Sequence, residues 1–144
     1  DGVLVVDYPP EESAEFSVAM KQHGLDPIFL LAPTSTEERI AGAAKLASGY
    51  VYYGLLKGVS GSAALDVGAV AARLPAIREK TGLPVGVGFG IRDAETAGRI
   101  AEIADAVVVG SRIIEEIEKS TPETACANVK ALVSSIRRGM DAAA

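Results

Sequence analysis

The residues most able to do chemistry in this sequence are glycines, set at three successive strand-like corners. Gly58 and Gly61 follow Tyr50-Val-Tyr-Tyr-Gly-Leu-Leu56, Gly86, Gly88 and Gly90 end Pro84-Val-Gly-Val-Gly-Phe-Gly90, and Gly110-Ser111 end Asp105-Ala-Val-Val-Val-Gly-Ser111. Glycine at the C-terminal end of a parallel strand lets backbone N–H groups approach a ligand where a side chain would collide. Phosphate is the ligand such corners most naturally hold. Gly110-Ser111 also opens a short helix, which adds free N–H groups and a positive dipole end, and the serine hydroxyl can donate one more bond. A single such glycine would only mark a tight turn; three on consecutive parallel strands converge on one side of a sheet.

Other candidates are weaker. Gly86-x-Gly88-x-Gly90 is not the dinucleotide fingerprint, because position 91, where its third glycine belongs, is Ile91, and Lys57 precedes its glycine loop instead of closing it as a P-loop lysine would. Asp7, at the end of the first apolar run, either faces a ligand or partner, or orders the loop and caps the next helix. His23 sits beside a helix-closing glycine and reads as a surface residue. Tyr50 and Tyr52 share one face of their strand and Tyr53 takes the other, where a structural role is expected. No Ser/His/Asp or Cys/His arrangement and no metal-ligand spacing occurs, so no metal is expected.

The elements that must position these corners alternate regularly. Apolar runs at 1–7, 27–33, 50–56, 85–90 and 105–111 read as strands. Helices are expected at 11–23, at 35–48 behind a Ser35-Thr-Glu-Glu38 capping box, at 66–81 with Val70, Leu74 and Ile77 inward, at 93–103 behind Asp93 with Ala97, Ile100 and Ala101 inward, and at 112–119. A last helix follows Thr121-Pro122 to about Arg138, with Gly139 to Ala144 frayed. Five βα units of roughly 30 residues each mean an α/β fold with a parallel sheet and right-handed crossovers. Two architectures fit: part of an eight-stranded barrel, favoured by the glycines, and an open doubly wound five-stranded sheet, favoured by the strand count.

Composition narrows the partners. The chain has 144 residues, enough for one domain, and only four tyrosines and three phenylalanines among many aliphatics, as suits a buried parallel sheet. A net charge of −5 argues against a nucleic-acid backbone as partner. No apolar run approaches the ~20 residues that cross a bilayer, and no signal peptide is seen, so a soluble, cytoplasmic protein is expected. The single cysteine, Cys126, falls in a helical pattern and reads as a packed small residue in a reducing compartment.

Taken together, Val3-Leu-Val-Val-Asp-Tyr-Pro-Pro-Glu-Glu-Ser13, Pro27-Ile-Phe-Leu-Leu-Ala-Pro33, Tyr50-Val-Tyr-Tyr53 with Lys57-Gly-Val-Ser-Gly61, Gly86-Val-Gly-Phe-Gly-Ile91 and Val109-Gly-Ser111 resemble the tryptophan synthase alpha subunit, in order and spacing, over essentially the whole chain. The resemblance implies a (β/α)8 barrel that cleaves indole-3-glycerol phosphate to indole and glyceraldehyde 3-phosphate without a cofactor of its own. It also implies a pyridoxal-phosphate beta subunit as partner. By family position, Gly61, Gly90, Gly110 and Ser111 correspond to the phosphate cradle, with Phe89 beside it and Tyr52 near the reacting group. Ser60 stands where the family usually has threonine, in a loop over the site, and Asp7 matches an aspartate associated with communication to the beta subunit.

The resemblance places the first residue at the family's fourth barrel strand. Residues 1–144 are then a single (βα)5 domain, incomplete relative to the full barrel and lacking the glutamate and aspartate that transfer protons in the family. The expectation is phosphate recognition without activity alone. The alternative is a self-assembling or engineered βα scaffold with vestigial phosphate binding. Five barrel strands leave two open edges, so the chain is expected to self-associate, to pair with a complementary fragment, or to relax into an open sheet with helices on both faces.

Overall fold

A computed structural model describes residues 1–6, 8–54, 67–88 and 90–143. Within them five parallel strands alternate with helices. In chain order they are β1 (Gly2–Leu4), α1 (Ala14–Gln22), β2 (Asp26–Leu31), α2 (Glu37–Leu46), β3 (Val51–Tyr53), α3 (Val67–Thr81), β4 (Val85–Val87), α4 (Ala94–Ala101), β5 (Ala106–Val107), α5 (Ser111–Glu118) and α6 (Ala125–Ala143). A 3-10 turn over Pro10–Glu12 precedes α1 and breaks the continuous helix expected over 11–23.

The strand order is β1-β2-β3-β4-β5, the order of the sequence. Right-handed crossovers that always step the same way put every helix on one face. A doubly wound sheet needs a reversal in strand order, and this sheet has none. The doubly wound alternative and the open sheet with helices on both faces are therefore corrected: the sheet is singly wound, as in a barrel, and is not closed.

Side chains alternate across each strand, which assigns the two faces. Phe29, Leu31, Val51, Tyr53, Val85 and Val87 point to the helices and form the core with Ile40, Ala43, Val70, Leu74, Ile77, Ala97, Ile100 and Ile136. All of these are buried, so the inward positions expected of α3, with Ala97 and Ile100 of α4, are those observed, and Tyr53 has its structural role. On the other face the register aligns Leu30, Tyr52, Gly86 and Ala106. Leu30 and Tyr52 are only half-buried and Ala106 is exposed.

Local details differ from the sequence pattern for identifiable reasons. The strands are shorter than the apolar runs: β1 stops at Leu4, and Val5 and Val6 beyond its end are 41% and 57% exposed. Ser35 does not cap α2. Its Oγ accepts from the Ala32 N–H, and Thr36 takes the cap, accepting from the Arg39 N–H. Asp93 caps α4 as expected, accepting from Thr96 N–H at 2.8 Å. Pro122 stands before the last helix instead of at its first position, because α6 begins at Ala125. The C-terminal residues are not frayed: α6 runs through Ala143 and packs on α4 so closely that a Cβ on Gly139 would overlap the Ala94 carbonyl oxygen. Cys126, in α6, is exposed and not packed. No helix among the described residues is long and apolar enough to cross a membrane.

Candidate functional site

The C-terminal ends of β3, β4 and β5 and the first turn of α5 enclose a cleft of about 270 Å³. Of the residues singled out from the sequence, Tyr52, Gly90, Gly110 and Ser111 all line it. Asp7, Ser60, Gly61 and Phe89 lie outside the described residues, as does the glycine loop at 57–62.

The glycines around the cleft are glycines for two different reasons. The Tyr52 phenol donates to the Gly88 carbonyl oxygen at 2.9 Å, and its ring occupies the space a Cβ on Gly88 would need. A Cβ on Gly54 would come within 2.6 Å of the same ring, and one on Gly86 within 3.3 Å of the Tyr50 ring. These three make room for tyrosines. Gly86 and Gly88 therefore also have a packing reason to be glycine, beneath cross-strand aromatic rings, and Gly88 lines the cleft as well. Gly90 has φ +68°, a left-handed conformation that turns the chain out of β4. Gly110 has no protein atom within 4 Å of a Cβ built on it, so no intramolecular contact requires a glycine there.

Gly110 also heads α5 without a side-chain cap. The first amides to bond back, those of Ile113 and Ile114, donate to the Gly110 carbonyl, and the Ser111 and Arg112 amides precede that bond. A second cleft of about 270 Å³ at the end of β2, between Glu11 and Arg39, also meets a helix start, but Thr36 already occupies an amide there with its own side chain. The β4–β5 cleft is the stronger candidate for an anion site: it is lined by an uncapped helix start, Ser111 and two arginines.

The arginines were not found from the sequence. Arg92 and Arg112 both line the cleft, each just past a glycine corner, and each is matched by a glutamate of α5. Arg92 Nη2 donates to both carboxylate oxygens of Glu115 at 2.9 and 2.7 Å, and this bond holds the Glu115 carboxyl below its ordinary range. Arg112 Nη2 pairs with Glu116 at 2.8 Å, one helical turn on. The legible signal was the run Arg112-Ile-Ile-Glu-Glu116, whose spacing permits an i,i+4 pair directly after the Gly110-Ser111 corner.

Tyr52 stays a neutral phenol over the cleft. Burial pushes its pKa up, with Tyr50 nearby adding to the rise. Its hydroxyl proton is committed to Gly88, so it positions the β4 end and is not a base at neutral pH. Among the described residues no carboxylate lines this cleft, and no cluster of His, Cys, Asp or Glu has a metal-binding arrangement. The arrangement can bind and orient an anion.

Known proteins with this arrangement are consistent with one another. A family model described as tryptophan synthase alpha chain matches residues 1–143. The chain is 79% identical over 141 residues to the tryptophan synthase alpha chain of Dechloromonas aromatica, covering 98% of this chain and 53% of that one. It is 63% identical over 141 residues to that of an Azoarcus strain, covering 98% and 52%. Among solved structures, tryptophan synthase subunit alpha from Legionella pneumophila superposes with a TM-score of 0.84 at 36% identity, covering 98% of this chain and 52% of that one. Tryptophan synthase from M. tuberculosis, in an aminoacrylate-bound form, superposes with a TM-score of 0.80 at 29% identity, covering 96% and 50%. The chain spans about half the length of the curated relatives it matches. Its sequential parallel strands, its cleft at their C-terminal ends and its near end-to-end match to the family model lead to one conclusion: the chain belongs to the tryptophan synthase alpha chain family.

Proposed function

We propose that this chain supplies the phosphate-binding part of a tryptophan synthase alpha barrel, acting in tryptophan biosynthesis on indole-3-glycerol phosphate. The observation that carries the reading is the cleft in which Gly90, Gly110 and Ser111 meet beneath Tyr52. Gly110 and Ser111 offer free amides and a hydroxyl to the phosphate, and Gly90 turns the chain so that its backbone reaches the same point. The family resemblance assigns Gly61 to the same cradle and Phe89 and Ser60 to the substrate pocket, and Tyr52 fixes the β4 end against which the substrate lies. Cleavage needs a proton delivered to the indole ring and one removed from the glycerol hydroxyl. Among the described residues nothing in the cleft does either, and the resemblance matches the family's two proton-transferring carboxylates to no residue here; the reading is therefore of one (βα)5 unit, residues 1–144, that binds substrate and is inactive alone. The family resemblance assigns Asp7 to communication with a beta subunit, the partner that takes up indole in the cytoplasm.

Two assays test this. Calorimetric titration with indolepropanol phosphate should show one site, absent for indolepropanol without phosphate. A colorimetric indole assay on the chain with indole-3-glycerol phosphate should stay at background; turnover would overturn the assignment of the proton-transfer groups. The half-buried Leu30–Tyr52 face favours a second reading, a scaffold that assembles through its sheet and keeps only vestigial anion binding. Titration without any heat would leave that reading standing.

A further inference from the structure

We propose that Arg92 and Glu115 are positioning residues of the phosphate site, a cross-brace that sets the gap between its two walls. The inference rests on the phosphate reading of the cleft and adds what holds that cleft to its size. One wall is formed past β4 by Gly90 and Arg92; the other runs from Val108 into the first turn of α5. The β4–β5 ladder ends beneath them, with the Val108 N–H donating to the Val87 carbonyl oxygen at 2.8 Å. Beyond that bond, among the described residues, the Arg92–Glu115 pair is the only hydrogen bond or ion pair joining the two walls.

Each end of the brace is anchored close to a proposed ligand group. Arg92 stands two residues past the left-handed turn at Gly90 and directly before Asp93, the cap of α4. Glu115 lies one helical turn beyond Ser111 on α5. Arg92 Nη2 donates to both Glu115 carboxylate oxygens, at 2.9 and 2.7 Å. The Arg112–Glu116 pair, by contrast, lies wholly within α5 and bridges nothing. An anion that takes amides from both walls binds best where the walls already stand at the right separation; drawing them together on binding weakens affinity. The Arg92 side chain is 59% exposed, and an ion pair so solvated adds little to the stability of the fold. Its effect is therefore expected in binding.

The test is calorimetric titration of the 144-residue chain with glycerol 3-phosphate, with glycerol as the blank and a thermal melt on each sample. The variants are Arg92→Met, Glu115→Met and the exchanged pair, Arg92→Glu with Glu115→Arg. Both single variants should bind about three- to tenfold more weakly, while melting within about 4 °C of the parent. The exchanged pair, which restores the bond and keeps the net charge, should recover most of the loss. Glu115→Met is the decisive arm: it removes a negative charge beside an anion site, so electrostatics alone would tighten binding. Either single variant binding within twofold of the parent or more tightly, or an exchanged pair no tighter than the single variants, overturns the brace and leaves the cradle standing. No binding by the parent overturns the cradle itself and this proposal with it.

Discussion

At the scale of single residues, the site turns on why each glycine is a glycine. Gly88 is required by the Tyr52 ring, a cross-strand neighbour that sequence spacing does not reveal, and it lines the cleft as the strand-end glycines were expected to. Gly110 and Ser111 were legible because the signal was local: a glycine at a strand end, followed at once by a helix. Gly110→Ala is expected to change stability by less than about 1 kcal/mol, since its Cβ meets nothing and only a cap preference is altered. The same substitution should weaken glycerol 3-phosphate binding at least tenfold, because the methyl enters the space kept for the ligand; thermal melts and calorimetry on one sample check both halves. Tyr52→Phe keeps the ring over Gly88 but loses the hydroxyl bond to its carbonyl. It should cost about 1 kcal/mol, read as a melting temperature lower by about 2–4 °C.

At the scale of elements, helices were more legible than strands. Helical spacing and caps are written in contiguous sequence, as Asp93 and the Val70, Leu74 and Ile77 stripe show, whereas a strand ends where its neighbours stop pairing. The tail of α6 was misread because Gly139 and an alanine run are poor grounds for a helix end in isolation; packing on α4 decides it. Gly139→Ala sets two effects against each other. Helix propensity favours alanine by about 1 kcal/mol, but the methyl would overlap the Ala94 carbonyl oxygen, and overpacking of this kind costs about 1–3 kcal/mol. The overlap involves backbone on both sides, so a net loss of about 1–2 kcal/mol by denaturant titration is expected. Asp105 ties β4, β5 and α3 together: its carboxylate accepts from the Val85 N–H at 2.8 Å and from Arg78 Nε at 2.9 Å. Burial alone would raise its pKa, but these donors outweigh burial and hold it below the ordinary aspartate range. A lowered folded pKa stabilises the fold above the unfolded value of about 3.9, and that stabilisation is lost as pH falls through the lower folded value. Asp105→Asn should lose about 1 kcal/mol at neutral pH, the group being partly solvated, and should show a flatter dependence of stability on pH below about 4 than the parent.

At the scale of the molecule, the singly wound sheet has a core on one face and half-buried Leu30 and Tyr52 on the other. Five βα units were legible from alternation alone, but the choice between one-sided and two-sided helices was not, because strand order is a long-range property. The family resemblance pointed to the one-sided arrangement that is observed. With β1 and β5 each paired on one side only and Val5 and Val6 exposed, self-association is the proposed response in water. Size-exclusion chromatography with light scattering should show mass rising with concentration; a monomer at every concentration would refute it. The phosphate cradle has its most direct test in a ¹H–¹⁵N NMR titration of the chain with glycerol 3-phosphate. Saturable shifts at the Gly90, Gly110, Ser111 and Arg112 amides, absent with glycerol, are the predicted result. Unmoved amides at these four positions at millimolar ligand, or shifts centred instead on Thr34–Thr36 at the end of β2, would contradict it.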